Sequence, residues 1–160
     1  VSDGPTSDTP TNDAPGGERG DDPGDEVPVT IFAAVGGQPF FDRLVDRFYD
    51  HVATDDVLLR LYPEQDDLGP AQERLALFLA QYWGGPPVYA ERRGHPRLRM
   101  RHAPYVIAAA ERDHWLAAML DALEHTLPET PLEADLQEEV GRRMREYFTL
   151  AADHLVNAGG

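Results

Sequence analysis

The apolar residues Phe41, Leu44, Val45, Phe48, Tyr49 and Val52 recur at steps of three and four along the chain. That is the repeat of a helix with one buried face. The same spacing returns in Ala71, Leu75, Phe78, Leu79 and Tyr82, then in Ile107, Ala110, Trp115, Met119 and Leu123. It returns once more in Leu132, Leu136, Val140, Met144, Phe148, Ala151 and Leu155. These stripes predict helices over about 41–52, 71–82, 104–127 and 132–155. Two shorter apolar clusters predict short helices. One covers residues 29–35 and stops at Gly36-Gly37; the other holds Val57, Leu58 and Leu61 and stops at Tyr62-Pro63. Thr54-Asp55-Asp56 has the character of a helix cap before the second. Gly84-Gly85-Pro86-Pro87 closes the 71–82 stripe, and a loop-like stretch continues to about Arg101. No window alternates with the strand period over a useful length. The pattern is that of a compact all-α domain of about six or seven helices, without internal repeats.

Composition sharpens this picture at the N-terminus. Residues 1–28 are Asp, Gly, Pro, Ser and Thr with almost no large apolar side chain. Such a segment buries too little surface to offset the entropy of ordering, so we expect a disordered acidic tail there and a folded domain over 29–160. The tail holds eight acidic residues and one Arg, about half of the net charge of −15. That charge argues against nucleic acid or an anionic membrane as a partner. No apolar run approaches the length of a membrane span, and the first residues lack the apolar core of a signal peptide. A cytoplasmic protein is the expectation. The chain has no Cys, which excludes disulfides, thiolate catalysis and zinc–thiolate sites. All 14 basic residues are Arg, so lysine nucleophiles and Schiff bases are excluded too.

The candidate chemistry centres on Arg93-Gly94-His95-Pro96-Arg97-Leu98-Arg99-Met100-Arg101-His102-Ala103-Pro104. His102 ends a basic turn just before a Pro that can open a helix. A neutral imidazole is the commonest protein ligand for a metal, and a single axial imidazole is one way proteins hold haem iron. On residue type alone, each of the six histidines is more often structural than a ligand. His51, His125 and His154 fall on amphipathic stripes as surface or boundary residues. His114 precedes Trp115 as a rim residue, and His95 is a turn residue or an anion contact.

An ordered set of short pieces narrows the choice. They are Phe32-Ala33-Ala34-Val35-Gly36-Gly37, Arg47-Phe48-Tyr49, Val57-Leu58, Leu61-Tyr62-Pro63-Glu64, Phe78-Leu79, Gln81-Tyr82-Trp83-Gly84-Gly85-Pro86, the whole 93–104 stretch, Glu111-Arg112-Asp113 and Trp115-Leu116. With these, the chain from about Thr30 to Asn157 resembles the group II truncated haemoglobins of actinobacterial type. The resemblance implies a two-over-two helical sandwich around haem b (iron protoporphyrin IX). It implies His102 as the proximal iron ligand and Tyr49, Tyr62 and Trp115 as a polar distal pocket. It also implies Ala71 and Leu75 as distal-helix positions facing a bound gas, Phe78 as pocket wall or core, and Arg74 beside a haem propionate. Trp83 is read as a packing anchor.

Two functions follow from the resemblance. One is binding of O2 and other diatomic gases, NO and CO, with the Tyr/Trp hydrogen-bond network slowing O2 release. Ala71 has no donor, so that work falls to Trp115 and Tyr62, with Tyr49 in support. The other is redox catalysis on the same haem, NO dioxygenation or peroxidase-type chemistry, served by an electron-donating reductase. A helical interaction module with incidental histidines is a third reading. Self-association is left open. If both phenols lie beside the iron, oxidation could join Tyr49 to Tyr62 covalently.

Overall fold

The computed structural model describes residues 29–94 and 106–157. These form α1 (Ile31–Ala34), α2 (Gln38–Ala53), α3 (Asp56–Leu59), α4 (Gly69–Tyr82), α5 (Val88–Arg93), α6 (Ala109–Thr126), a 3-10 turn (Leu127–Glu129) and α7 (Ala134–Leu155). No strand occurs among the described residues. Helix α2 is the hub. It packs against α4 and against α6, while α6 packs against α7 and α3 bridges α2 to α6. The pairs α2–α4 and α6–α7, joined through α2 and α6, are the two layers of the expected sandwich.

The core sits on α2 because its apolar stripe meets two partners at once. Phe40, Phe41, Leu44, Val45, Phe48 and Val52 are completely buried and Tyr49 is nearly so. Burial of such side chains contributes roughly 1.5–3 kcal/mol each. Met119, Leu123, Met144 and Phe148 close the core from α6 and α7. Arg47 fastens the outer end, donating to Thr126 Oγ1 at 2.9 Å and in fork fashion to both oxygens of Glu129 at 3.0 and 2.6 Å.

Two glycine pairs let the chain turn where α1 meets α4. Gly36 and Gly37 have φ of +105° and +84°, a region that favours glycine. Gly84 and Gly85 lie under α1, whose Phe32 N–H donates to the Trp83 carbonyl at 2.9 Å. A methyl group on Gly84 would stand 2.6 Å from Thr30 Cβ, and one on Gly85 would stand 2.6 Å from Phe32 Cδ1. Asp55 is the cap of α3, accepting from the N–H groups of Val57 and Leu58 at 2.9 and 3.3 Å.

The structure differs from the sequence reading in three places. A short helix, α5, interrupts the expected loop; its Ala90 N–H donates to Gln81 Oε1 at 2.9 Å. Helix α6 begins at Ala109, not near 104, because residues 106–108 are tied elsewhere. The Ile107 N–H donates to Asn157 Oδ1, the Asn157 N–H donates to the Ile107 carbonyl, and the Glu111 carboxylate accepts from Ala108 N–H at 2.9 Å. Finally, Leu136 is 53% exposed and stands off the core. No helix of the described residues is long and apolar enough to cross a membrane.

Candidate functional site

Tyr49 lies on the buried face of α2, and Tyr62 follows α3. Their rings meet edge to face at 5.6 Å. The two hydroxyls are close enough for each to alter the other's hold on its proton. Burial pushes both phenols far above their ordinary range, helped at Tyr49 by the neighbouring Tyr62 and opposed there by the charge of Arg74. Both are therefore neutral donors at any physiological pH. Two neutral phenols can spend at most one of their two hydroxyl hydrogens on each other, so the pair keeps one to donate elsewhere.

Trp115 reaches the same region from α6 through Phe48. Its ring stands 5.6 Å from Phe48, which in turn meets Tyr49 edge-on at 5.1 Å. Trp115 also meets Phe148 at 6.1 Å. Phe48 is thus a wedge that sets the spacing between the indole and the phenols.

Helix α4 supplies an apolar wall. It has two apolar sides. Ala76, Leu79 and Ala80 are buried against the core, while Ala71, Leu75 and Phe78 are only half-buried. Phe78 is braced by Tyr89 of α5 at 5.5 Å. Arg74 is exposed on this helix, with its charge felt at the Tyr49 hydroxyl. Helix α6 likewise leaves Trp115, Leu116 and Leu120 half-covered.

The structure thus brings Tyr49 and Tyr62 together, links Trp115 to them through Phe48, and sets Ala71, Leu75 and Phe78 along one side of α4. His102 lies outside the described residues, as do His95 and the Arg97, Arg99 and Arg101 cluster. The described donors fit a flat apolar cofactor with a polar ligand on one face. They comprise two neutral phenols and an indole, beside half-covered apolar walls and one Arg for an anionic edge. No group of three or more His, Asp or Glu able to hold a bare metal ion occurs among the described residues.

Three of the other histidines are paired with carboxylates or backbone. His51 pairs with Asp121 at 2.8 Å, His114 with Asp55 at 2.8 Å, and His125 Nδ1 sits 2.8 Å from the Asp121 carbonyl. His51, Asp55, Asp113 and His114 line a shallow cavity of about 270 Å³ with Ala117 and Ala118. Neither phenol lines it.

Sequence reasoning missed two features. Arg60, two residues before Tyr62, donates to the buried Glu111 carboxylate at 2.6 Å and ties the Tyr62 segment to the start of α6. Glu111, three residues after the helix cap, was the available signal. Tyr147 stacks on Tyr82 at 4.2 Å, and nothing in the spacing of α4 or α7 announces that contact.

The profile of the bacterial-like globin family matches residues 30–148. The group 2 truncated haemoglobin YjbI of Bacillus subtilis is 39% identical over 76% of this chain and 84% of its own length. Among solved structures, the thermostable haemoglobin of the actinobacterium Thermobifida fusca superposes with a TM-score of 0.74 at 51% identity, covering 82% of this chain and all of that one. The truncated oxygen-avid haemoglobin of Bacillus subtilis superposes with a TM-score of 0.69 at 36% identity, covering 81% of this chain and all of its own. The chain belongs to the bacterial-like globins and, within them, to the group II truncated haemoglobins.

Proposed function

We propose that this chain holds haem b through His102, takes up O2 and other diatomic gases such as NO and CO at the iron, and releases O2 slowly. Membership of the family supports haem-based gas binding. In this reading residues 29–160 are the globin domain and residues 1–28 an appended acidic tail. Ferrous haem would supply the open coordination position and the electron density that leaves O2 partly anionic. The chain's own residues supply the rest.

The observation that carries the reading is the phenol pair itself. Tyr49 and Tyr62 meet at 5.6 Å and both stay neutral, so the pair has a hydroxyl hydrogen to give a partly anionic ligand, and this reading assigns that donor to Tyr62. Trp115 adds an indole N–H, which donates only. Leu75 and Phe78 exclude water from that bond and so strengthen it. Ala71 contributes space and no donor. Arg74 is suited to a propionate, where a charge-assisted pair is favourable. One relative is described as oxygen-avid, in keeping with tight capture.

Slow release also suits redox chemistry with an electron-donating reductase in a cytoplasmic setting. NO consumption by the reduced protein with such a reductase separates that role from simple capture. The first test is spectroscopic. A Soret band that shifts on reduction and CO addition is expected, with His102→Ala losing normal haem retention. Full retention by His102→Ala with unchanged iron spectra would overturn the ligand assignment. A purified protein that takes up no haem would leave only a helical interaction module.

A further inference from the structure

The aromatic contacts do not end at the phenol pair. They continue through the molecule as an unbroken series of rings. Tyr62 meets Tyr49 at 5.6 Å, Tyr49 meets Phe48 at 5.1 Å, and Phe48 meets Trp115 at 5.6 Å. Trp115 meets Phe148 at 6.1 Å, Phe148 meets Tyr147 at 5.5 Å, and Tyr147 stacks on Tyr82 at 4.2 Å and 30°. The series begins on the partly buried Tyr62 and the buried Tyr49 and ends on Tyr82, which is 51% exposed. We propose that this is an oxidative outlet, in which oxidising equivalents generated beside Tyr49 and Trp115 drain to Tyr82 and Tyr147 and join those two phenols covalently. The proposal rests on the haem reading, with hydrogen peroxide as the oxidant.

Three features favour the far end as the sink. A phenol loses an electron easily only if its proton can leave. Tyr82 faces water and Tyr147 beside it is partly exposed, whereas Tyr49 is buried and Tyr62, partly buried, lies against it. Ring geometry also favours coupling there, because Tyr82 and Tyr147 lie nearly face to face while Tyr49 and Tyr62 meet edge-on and farther apart at 5.6 Å. Trp83 touches both outer tyrosines, at 5.0 and 5.5 Å. Its indole N–H is buried without an acceptor, so it cannot shed a proton and does not compete as the end point.

The chemistry balances. Tyr82 and Tyr147 each give up one electron and the hydroxyl proton. Hydrogen peroxide takes both electrons and both protons, its O–O bond breaks, and two waters leave. The two phenoxyl rings then form a carbon–carbon bond ortho to their oxygens. The hydrogens on those carbons return to the oxygens as the rings regain aromaticity. The net change in the protein is the loss of two hydrogens.

The experiment uses the haem-loaded protein, whose Soret band is recorded first, so that failure to bind haem is recognised separately. Sub-stoichiometric and then stoichiometric peroxide are added, and the product is read by intact mass, dityrosine fluorescence and peptide mapping. The expected result is a monomer lighter by two hydrogens with a cross-link between Tyr82 and Tyr147. Tyr147→Phe should keep its Soret band and lose the cross-link. Trp115→Phe should lower the cross-link yield severalfold. In a second arm, a photosensitiser with persulfate oxidises surface phenols without using haem, and there Trp115→Phe should couple as well as the native chain. A cross-link confined to Tyr49 and Tyr62, covalent dimers in place of the internal bond, or equal peroxide yields with and without Trp115 would each overturn the proposal.

Discussion

Replacing Tyr62 and Tyr49 one at a time by Phe separates the roles proposed for the two phenols, in which Tyr62 donates to the ligand and Tyr49 supports it. Either change keeps the ring and its contacts at 5.6 and 5.1 Å. Tyr62→Phe removes the neighbouring hydroxyl and strands that of Tyr49, a residue only 6% exposed. An orphaned buried polar group costs about 1–3 kcal/mol of stability. Tyr49→Phe leaves the hydroxyl on Tyr62, which is only partly buried, so it should cost closer to one ordinary hydrogen bond, about 0.5–1.5 kcal/mol. The two should differ more sharply in function. If Tyr62 donates to a partly anionic O2, losing that bond removes about 1.5–3 kcal/mol. That is roughly a ten- to hundredfold faster release. Tyr49→Phe should change release by less than about tenfold, since the donor to the ligand survives. Stopped-flow displacement of O2 from the ferrous protein measures this, with CO release as the control because CO draws far less charge. Faster O2 release in Tyr49→Phe than in Tyr62→Phe would refute the assigned roles. Equal acceleration of O2 and CO would show a loosened pocket and not a lost hydrogen bond.

Other consequences follow from contacts away from the phenols. Gly85→Ala places a methyl group 2.6 Å from Phe32 Cδ1 and 2.8 Å from the Ala80 carbonyl oxygen, and the latter cannot move without unwinding α4. It should destabilise by about 1–3 kcal/mol, and Phe32→Leu in the same chain should restore only part of the loss in a thermal melt. Glu111 and Glu129 are held below the ordinary carboxylate range, first by their hydrogen bonds to Arg60 and Arg47 respectively. Their stabilisation is complete above the unfolded carboxylate value of about 4.3 and is lost as pH falls through the lower folded value. Glu111→Gln should therefore melt below the native chain at neutral pH, with the gap closing under acid; a gap independent of pH would argue against the Arg60 pair as its source. Arg47→Lys cannot reproduce the fork to Glu129 together with the bond to Thr126, and its Tm should fall although the charge is kept.

The sequence is legible where a helix buries one face and illegible where it buries two. On α2 every stripe residue is buried, because the periodic face coincides with the core. On α4 the stripe mixes residues of different fate. Leu79 faces the core, whereas Ala71, Leu75 and Phe78 stay half-covered, and periodicity cannot tell one apolar side from the other. Helix α5 has six residues, too few to show a period, and owes its place to Gln81 and to the Arg92–Glu73 pair at 3.3 Å. The start of α6 is set by Asn157 and Glu111, one of them distant in sequence. At the site, Tyr49 and Tyr62 were named only through resemblance, and no local pattern announces that α3 folds one against the other. The role of His102 still rests on the sequence.

These limits share a cause with the function. A fully buried core would make α4 and α6 easy to read and would leave nothing for a cofactor to touch. Half-covered Leu75, Phe78 and Trp115 are the surfaces that a flat apolar group would complete. Two neutral phenols side by side can spend only one of their hydroxyl hydrogens on each other, so the pair retains a donor. In the proposed reading that donor is Tyr62, and a ligand arriving there would add a bond without breaking one. A pocket whose donors were fully committed would have to give up an internal bond for each one it made to a gas. In that reading the pairing of Tyr62 with Tyr49 avoids the exchange, and Tyr49 is a positioning group whose removal should be felt in stability before it is felt in ligand release.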